Sequence, residues 1–318
     1  MYLGIEIGGT KLQLGIGNGD GSIRCLWRGT VVPTDGAEGI RRQIDQAIPQ
    51  LLASANLQRD NLRGVGIGFG GPVDDATRSV IKSHQIQGWD GFALADWIEQ
   101  IVGLPAVLGN DADVAGFAEA LFGAGEGLSP IFYITIGSGI GGGLIINGEI
   151  YRGCGRGAAE IGHLYFRTER HQEPKGVPLE ELASGWAIGE EARKRFEYIR
   201  LHCPILFGLA DGKREHLSAQ LVCTAAENGE KLPMHILTQA WGALADGIVQ
   251  VITLLCPRRI VVGGGVSLMG ATLFEPLRRM VAERVFGPFA ECYDIVPAAL
   301  GEEVVIHGAL ALARKRLT

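Results

Sequence analysis

"GIEIGGTKLQLGIG", residues 4–17, carries the strongest indication of the fold. Apolar residues alternate up to Ile7, two glycines, a threonine and a lysine follow, and the alternation resumes at Leu12. This pattern predicts two strands joined by a tight turn. Glycines let another group approach the main chain closely, and the hydroxyl and ammonium groups that follow would suit an anion such as phosphate. An ordinary glycine-rich hairpin with a solvated lysine is the alternative, because such hairpins are common.

The composition is that of a soluble globular protein. The 318 residues are 47% hydrophobic and 20% charged, with a net charge of −6, and this length predicts about two domains. The acidic balance argues against nucleic acid as a partner, because surfaces that bind it are normally basic. The apolar stretch 248–256 is too short to cross a bilayer, so no membrane association is expected. No signal peptide is visible, and the six scattered cysteines form no CxxC pair, which predicts a cytoplasmic protein with reduced thiols.

Alternating and helical patterns continue along the chain. The pattern predicts strands at residues 22–32, 63–69, 105–108 and 259–265, and helices at residues 37–57, 112–122 and 303–316. Pro49 lies inside the first of these helices, where a proline can split the helix. The helix at 112–122 is closed by Gly123, and the last helix ends in basic residues that suit the helix dipole.

The opening pattern returns at residues 132–146, FYITIGSGIGGGLII. When this stretch is laid over residues 3–17, Gly137-Ser138-Gly139 falls on Gly8-Gly9-Thr10. Similarity on this scale predicts two related lobes, each beginning with a glycine-rich hairpin. Two such turns would clamp a nucleotide in a cleft between the lobes. Coincidence between two glycine-rich hairpins is the alternative.

Other glycine patterns carry less weight. Gly66-x-Gly68-x-x-Gly71 and Gly137-x-Gly139-x-x-Gly142 match the dinucleotide-binding fingerprint, but that fingerprint requires a strand before it and a helix after it. Neither site has this context, so a nicotinamide-binding fold is not expected. The strand at 259–265 runs into three glycines, and such a run often lets a ligand approach the backbone.

Two groups of polar residues are candidates for the chemistry. Asn110 and Asp111 follow an apolar strand where a helix begins, so Asp111 is either a helix N-cap or a carboxylate that accepts the proton of an attacking hydroxyl. Glu160, His163 and Glu180 supply acceptors and one group that both donates and accepts, which suits a ring of hydroxyls. Taken singly, a histidine is more often structural and the two glutamates more often solvated.

The chain resembles the ROK family of bacterial sugar kinases and repressors over nearly its whole length. It does so through motifs that occur in the family's order: GIEIGGTK, GGPVD, QGWDG, GNDAD, TIGSGIGGGLIING, GAAEIGH, LEELASG and IVVGGGVS. The resemblance implies an α/β protein with the actin-like ATPase (ribonuclease H-like) fold, ATP and Mg²⁺ bound between two related lobes, and often a homodimer. Residues 1–115 with the helix 303–318 would form one lobe, and residues 116–302 the other.

The resemblance also implies roles for individual residues. Asp111 matches the general base, and Glu6 would hold Mg²⁺ through water. The sugar contacts implied are Gly71, Asn110, Asp111, Glu160, His163 and Glu180. The nucleotide contacts implied are Gly8, Gly9, Thr10, Lys11, Gly137, Ser138, Gly139, Gly263, Gly264 and Gly265.

The chain departs from the family at several positions. Glu6 stands where the family usually has Asp, and Gln85 and Gly70 differ from the usual residues of the sugar loop. Many members follow the GH motif with three cysteines that bind zinc together with the histidine, whereas residues 164–179 contain no cysteine. His163, Glu169, His171 and Glu173 do not make a convincing thiolate-free replacement, so no structural zinc is expected.

The predicted function is ATP-dependent phosphorylation of a hexose on its primary hydroxyl, with glucose as the first candidate. A fructokinase or an N-acetylhexosamine kinase of the same family is the alternative. The alternative from another class is a non-catalytic sugar-binding or regulatory protein. The family's repressors carry a winged helix-turn-helix before the core, and here the first core strand begins near residue 3, so DNA binding is not expected.

Overall fold

The computed structural model describes residues 1–83, 85–167 and 176–317. Glu169, His171 and Glu173 therefore lie outside the described residues. Within these ranges the strands are β1 Tyr2–Ile7, β2 Lys11–Gly17, β3 Ile23–Thr30, β4 Val65–Phe69, β5 Val73–Asp74, β6 Ser79–Val80, β7 Ala106–Asn110, β8 Ile131–Ile136, β9 Ile140–Ile146, β10 Glu149–Ile150, β11 Tyr165–Phe166, β12 Val177–Pro178, β13 Arg259–Gly263 and β14 Ile295–Pro297.

The helices alternate with these strands along the chain. They are α1 Gly36–Ser54, α2 Leu94–Val102, α3 Asp111–Phe122, α4 Glu180–Ala183, α5 Gly185–Lys194, α6 Phe196–His202, α7 Pro204–Leu209, α8 Ala219–Glu227, α9 Lys231–Leu255, α10 Ala271–Arg284 and α11 Val304–Leu317. In the described ranges, no helix combines the length and the apolar character that crossing a membrane requires.

The predicted strands and helices are confirmed, with one difference at Pro49. The helix α1 continues through this proline to Ser54 rather than splitting. A proline removes one intrahelical hydrogen bond, but Ile48, Leu51 and Leu52 are buried around it. This apolar face packs against β2 and β3, so burial of the face keeps the helix continuous.

The first sheet contains the opening hairpin and has the strand order β3-β2-β1-β4-β7. The strands β1, β2 and β3 form an antiparallel meander, and β4 and β7 run parallel to β1. Parallel neighbours need a crossover connection, which α1 supplies between β3 and β4 and α2 supplies between β4 and β7. The carboxyl ends of β1, β4 and β7 therefore lie along one edge of the sheet.

Glycines on one face of this sheet let α11 pack closely against it. A β-carbon on Gly66 would lie 1.9 Å from the carbonyl oxygen of Ala309, and one on Gly68 would lie 2.3 Å from Val305 Cγ1. Within α11, a β-carbon on Gly308 would lie 2.0 Å from the carbonyl oxygen of Val114 in α3. Helix packing therefore explains the glycines at 66 and 68 that match the dinucleotide fingerprint.

The second sheet contains the repeated hairpin and has the order β10-β9-β8-β13-β14. β13 lies parallel to both β8 and β14, and β10 is antiparallel to β9. The helices α4, α5, α8 and α10 all pack on the long helix α9. Val261 and Val262 on β13 are fully buried.

The chain divides into two compact units. One consists of Met1–Leu128, Gly143–Ala158 and Ala299–Thr318, and the other of Ser129–Gly142 and Ala159–Ala298. Each unit is assembled from segments that are distant in sequence. The predicted site residues fall into both units.

Candidate active site

The first glycine turn is closed by a main-chain hydrogen bond from Gly8 N to Lys11 O, 2.9 Å long. The side chain of Lys11 lies back over the sheet. Its Nζ is 3.0 Å from Glu6 Oε1 and donates a 2.9 Å hydrogen bond to the carbonyl oxygen of Glu302. The predicted phosphate ligand is therefore already part of an ion pair at the end of β1.

Glu6 is a buried carboxylate with an unusual proton affinity. Burial raises its pKa to about 7, the attraction of Lys11 opposes this rise, and the carboxylate of Asp111 adds to it. Its Oε2 atom is buried and has no hydrogen-bond partner among the described residues. One oxygen of this carboxylate is thus paired with Lys11, and the hydrogen-bonding capacity of the other is unsatisfied among the described residues.

Asn110, not Asp111, is the N-cap of α3. Its Oδ1 accepts hydrogen bonds from Ala112 N at 2.9 Å and Asp113 N at 3.2 Å, and its Nδ2 donates to the carbonyl oxygen of Gly71 at 3.0 Å. The interpretation of Asp111 as the N-cap residue is therefore wrong, although its own Oδ1 also accepts a 2.8 Å hydrogen bond from Ala112 N. Asp111 is the first residue of the helix itself.

Asp111 faces the loop that follows β4. A β-carbon on Gly70 would lie only 3.3 Å from Asp111 Oδ2, so the carboxylate passes close to the main chain there. A negative charge at the first turn of a helix interacts favourably with the helix dipole. Asn110 therefore contacts Gly71, and Asp111 lies close to Gly70, at the carboxyl edge of the first sheet.

Gln85 covers the first glycine turn. Its side-chain carbonyl oxygen lies 1.3 Å from the position that a β-carbon on Gly9 would occupy. Gln85, Ser83 and Ile86 line a small recess together with Gly8, Gly9 and Gly70. The sequence marked Gln85 as a departure from the family but did not predict this contact, which depends on Ser83, Gln85 and Ile86 lying beside the turn.

The second glycine turn is anchored to a helix. Gly137 N donates to Gly139 O at 2.9 Å, and Gly185 N, at the start of α5, donates to Gly137 O at 2.8 Å. The α5 helix is capped by Ser184, whose side chain accepts a hydrogen bond from Ala187 N. The turn thus lies at a helix N-terminus, a location that favours anions.

The predicted sugar ligands of this unit lie close to one another. His163 Nδ1 is 3.9 Å from Glu180 Oε1, which is too long for a hydrogen bond. Glu160 precedes the short turn Ile161–His163, and its carbonyl oxygen accepts a hydrogen bond from His163 N. A β-carbon on Gly139 would lie 2.9 Å from Glu180 Oε2, so Glu180 also contacts the second glycine turn.

The three glycines after β13 have different environments. A β-carbon on Gly263 would lie 2.4 Å from the hydroxyl of Tyr133, and one on Gly264, whose φ is +82°, would lie 2.6 Å from the carbonyl oxygen of Ile136. Packing alone therefore requires glycine at these two positions. Gly265 has open space around it and lines a cavity.

This cavity has a volume of about 760 Å³ and contains the second glycine turn. Besides Gly265, its walls are one face of α5, one face of α8 and the turn that follows β13. The residues that line it are Gly137, Ser138, Gly185, Trp186, Gly189, Arg193, Ser218, Ala219, Gln220, Cys223, Thr224, Glu227, Gly265, Val266, Leu268 and Met269. A volume of this size accommodates a nucleoside and part of a phosphate chain.

The sequence did not predict the α5 and α8 residues of this wall. A sequence pattern that could have indicated this wall was present in residues 218–227. Small and polar side chains recur there every four residues, at positions 219, 223 and 227 and again at positions 220 and 224. Such spacing places them on one face of a helix. Cys223 on that face is buried, and burial raises the pKa of its thiol to about 11, so the thiol stays protonated at neutral pH.

In the part of the chain that the structure describes, no group of three or more His, Cys, Asp or Glu side chains could hold a metal ion. Glu6 and Asp111 are the carboxylates that lie near the first glycine turn, and His163 and Glu180 lie near the second. The absence of zinc remains a prediction from the missing cysteines.

Comparison with solved structures identifies the class of fold. The chain superposes on a ROK family glucokinase from Streptomyces griseus, solved in complex with glucose and AMPPNP, with a TM-score of 0.82. The two chains are 32% identical, and the match covers 99% of each. The fold is that of the actin-like ATPases, as the resemblance implied.

Sequence comparison identifies the family. The chain belongs to the ROK family, whose model it matches over residues 2–316. It is 30% identical to the glucokinase of Thermotoga maritima, over 99% of this chain and 98% of that protein. It is 26% identical to the beta-glucoside kinase of Listeria monocytogenes, over 82% of this chain and 81% of that protein.

Proposed function

We propose that this protein is an ATP-dependent hexose kinase that phosphorylates the primary hydroxyl of a neutral hexose, with glucose as the preferred substrate. The observation that carries the proposal is the placement of Asp111. Asn110 is the N-cap of α3, and the carboxylate of Asp111 accepts a 2.8 Å hydrogen bond from Ala112 N through Oδ1 while its Oδ2 faces the glycine loop after β4. The full-length similarity to glucokinases supports the choice of glucose.

In the proposed reaction Asp111 acts as general base. It removes the proton of the primary hydroxyl as that oxygen attacks the γ-phosphorus of ATP. The new oxygen–phosphorus bond forms, the bond to the β,γ-bridging oxygen breaks, and ADP leaves. Phosphoryl transfer needs little covalent assistance, so positioning and charge stabilisation supply most of the rate.

Sugar recognition is assigned to residues of both units. Asn110, Asp111 and the main chain at Gly71 supply polar groups in one unit, and Glu160, His163 and Glu180 supply them in the other. This set consists largely of acceptors, which suits the hydroxyls of a neutral hexose. It offers no cation to an anionic sugar, so we expect sugar acids and sugar phosphates to bind poorly.

The nucleotide is assigned to the glycine-rich turns and the cavity. We propose that the phosphates contact Gly8, Gly9, Thr10 and Lys11 in one unit and Gly137, Ser138 and Gly139 in the other. The adenosine would occupy the 760 Å³ cavity lined by Gly265 and the α8 face, next to Gly263 and Gly264. The N-terminus of α5 adds favourable electrostatics for the phosphates at the second turn.

Glu6 is the candidate for holding Mg²⁺. Mg²⁺ is usually bound through one or two carboxylates, retained waters and substrate phosphates, and the buried Oε2 of Glu6 without a partner fits this chemistry. When bound, the ion would neutralise charge on the transferring phosphoryl group. Only the ionised carboxylate would hold the ion, so the raised pKa of Glu6 would make Mg²⁺ binding depend on pH.

We also propose that the protein is cytoplasmic, forms a homodimer, and uses neither nucleic acid nor a membrane as a partner. These assignments follow from the acidic composition and the family resemblance. Elemental analysis should find less than one zinc per chain, and strong chelators should leave the melting temperature unchanged. About one tightly held zinc per chain would contradict the loss of the zinc module.

The function is tested by measuring ADP formation at saturating Mg-ATP with a panel of sugars. The panel is glucose, fructose, mannose, N-acetylglucosamine, N-acetylmannosamine and a β-glucoside. We expect the highest kcat/KM with glucose. Another sugar ranking well above glucose would reject the glucokinase assignment, and no turnover with any sugar, with ATP still bound, would favour a non-catalytic sugar-binding protein.

A further inference from the structure

A buried guanidinium lies beside the first turn of α3. Arg152 Nη1 is 2.5 Å from Asp113 Oδ2, and both side chains are almost inaccessible, at 13% and 2% exposed. Asp113 is two residues beyond the proposed base, and its N–H is bonded to the cap residue Asn110. A buried carboxylate without a partner would be costly, so the charge of Arg152 makes this position of Asp113 feasible.

The same guanidinium holds a second element. Its Nη2 lies 3.0 Å from Asp75 Oδ1 and donates to the carbonyl oxygen of Val73 at 3.1 Å, and its Nε donates to Asp75 Oδ2 at 3.3 Å. The planar fork of an arginine can make such contacts in several directions at once, whereas a lysine ammonium cannot. Arg152 therefore connects the first turn of α3 with the segment β5 and the residue after it.

Two sets of contacts join the start of α3 to residues 71–75, and Asp111 lies between them. On one side, Asn110 Nδ2 donates to the carbonyl oxygen of Gly71. On the other side, Arg152 joins Asp113 to residues 73–75. These contacts all lie within one unit, and together they fix the distance between the helix start and the loop that Asp111 faces.

We propose that Arg152 is a positioning residue for the phosphoryl-transfer reaction, which holds the Asp111 carboxylate in place and neutralises the charge of Asp113 beside it. The inference rests on the proposed role of Asp111 as general base. A displacement of about 1 Å in a reacting group can cost on the order of 100-fold in rate. Loss of Arg152 should therefore lower kcat while leaving the affinities for sugar and ATP nearly unchanged.

The test uses the double variant Asp113→Asn/Arg152→Gln, because Arg152→Gln alone would leave a buried carboxylate unpaired and could unfold the chain. The double variant keeps the shape of the pair without its charges. We expect kcat for glucose to fall about 10- to 100-fold, with both KM values within about threefold of the wild type and a melting temperature close to the wild type. A wild-type kcat in this variant would overturn the proposal.

Two further variants test whether the effect depends on the geometry of the Arg152 side chain, on its charge or on its position. Arg152→Lys keeps the positive charge but loses the fork, so it should share the kcat defect, and full activity would show that charge alone suffices and overturn the positioning role. Arg156→Gln is the matched control, since Arg156 lies in the same segment, is 71% exposed and forms an ion pair with Asp74 at 3.3 Å. It should keep wild-type kinetics.

The outcome is distinguishable from failure of the proposed function. If the wild type phosphorylates no sugar, the function itself is wrong. If the wild type is active and Asp111→Asn is inactive, but the double variant retains full kcat, only the role of Arg152 is rejected.

Discussion

The two glycine-rich turns have nearly the same sequence pattern but different surroundings. When residues 132–146 are laid over residues 3–17, Glu6 and Lys11 of the first turn correspond to Thr135 and Ile140 of the second. The first turn therefore contains an ion pair between the partly exposed Lys11 and the buried Glu6, with 3.0 Å between Lys11 Nζ and Glu6 Oε1. The second contains neither charge and is instead hydrogen-bonded to the N-terminus of α5.

This difference shows that one backbone motif can favour an anion in two ways. At the first turn the positive charge is a side chain, whose availability depends on the protonation state of Glu6. At the second turn the favourable field comes from main-chain N–H groups and a helix terminus, which do not titrate. We therefore expect salt and substitution of the turn's own side chains to affect the first turn more than the second, where the neighbouring carboxylate, Glu180, belongs to α4 and not to the turn.

The largest expected effect is at Asp111, which lies near the first turn. Asp111→Asn keeps the shape of the side chain but removes its basicity, and a general base contributes about 10²- to 10⁴-fold to the rate. We expect kcat to fall by that factor while sugar binding, measured by calorimetry, persists. Asp60→Asn, at an exposed position, is the control. Wild-type turnover in Asp111→Asn would exclude this residue as the base.

The next effect concerns the pH dependence of stability through Glu6. Burial raises the pKa of Glu6 to about 7 in the folded protein, above the value of 4.5 expected for an unfolded chain. Below pH 4.5 the carboxyl is protonated in both states and its stabilising contribution is complete; that contribution is lost as the pH rises through 7. At about 1.4 kcal/mol per pKa unit, the loss is about 3 kcal/mol.

This prediction is measured by urea unfolding of the wild type and Glu6→Gln between pH 4 and pH 8. The difference in the free energy of unfolding between the two proteins should change by about 3 kcal/mol across this range, with the wild type losing stability as the pH rises. Thr135, at the corresponding position of the second turn, cannot contribute such a slope. Parallel curves for the two proteins would show that Glu6 keeps an ordinary pKa.

These contrasts also show what the sequence could predict. Alternating apolar residues predicted the two hairpins correctly because the alternation is local, although β1 and β2 are buried on both faces. The adjacency of Asn110 and Asp111 placed the candidate base at the start of a helix. The assignment of the cap to Asn110 was missed, since both residues are good N-caps and only side-chain geometry distinguishes them.

Contacts between distant segments could not be predicted. Gln85 lies on Gly9, and Arg152 reaches Asp113, through packing that no local pattern encodes. Gly66 and Gly68 illustrate the same limit. Their spacing matches a nucleotide-binding fingerprint, but in the structure they allow α11 to pack closely against the sheet. The α8 residues of the cavity wall recur with the period of a helix, but this period alone does not show which face of α8 lies opposite α5.

A smaller effect is expected when the charge of the first turn is removed. Lys11→Met should lower kcat/KM for ATP about 10- to 100-fold, since a hydrogen bond to a charged group contributes about 1.5–3 kcal/mol. Ser138→Ala, at the second turn, removes a neutral hydroxyl and should cost about 2- to 10-fold. The difference between the two variants should shrink at high ionic strength, because salt screens exposed charges. Equal losses in both variants would mean that the two turns bind phosphate in the same way.

The smallest effect concerns the contact between Gln85 and Gly9. A β-carbon on Gly9 would lie 1.3 Å from Gln85 Oε1 and 3.2 Å from Gln85 Cβ, whereas the corresponding position of the second turn already carries the side chain of Ser138. Gly9→Ala should therefore force Gln85 aside and destabilise the protein by about 1 kcal/mol, the low end for overpacking, because the amide end of Gln85 is flexible.

Gln85→Ala should remove this penalty. In a double-mutant cycle followed by thermal unfolding, the two substitutions should therefore couple by at least about 0.5 kcal/mol, as contacting residues do. Gly137→Ala, where a β-carbon meets nothing within 4 Å, is the matched control and should leave stability unchanged. If Gly9→Ala and Gln85→Ala prove additive, then Gln85 does not rest on the first turn, and the recess between them is open for the phosphates without any rearrangement of that side chain.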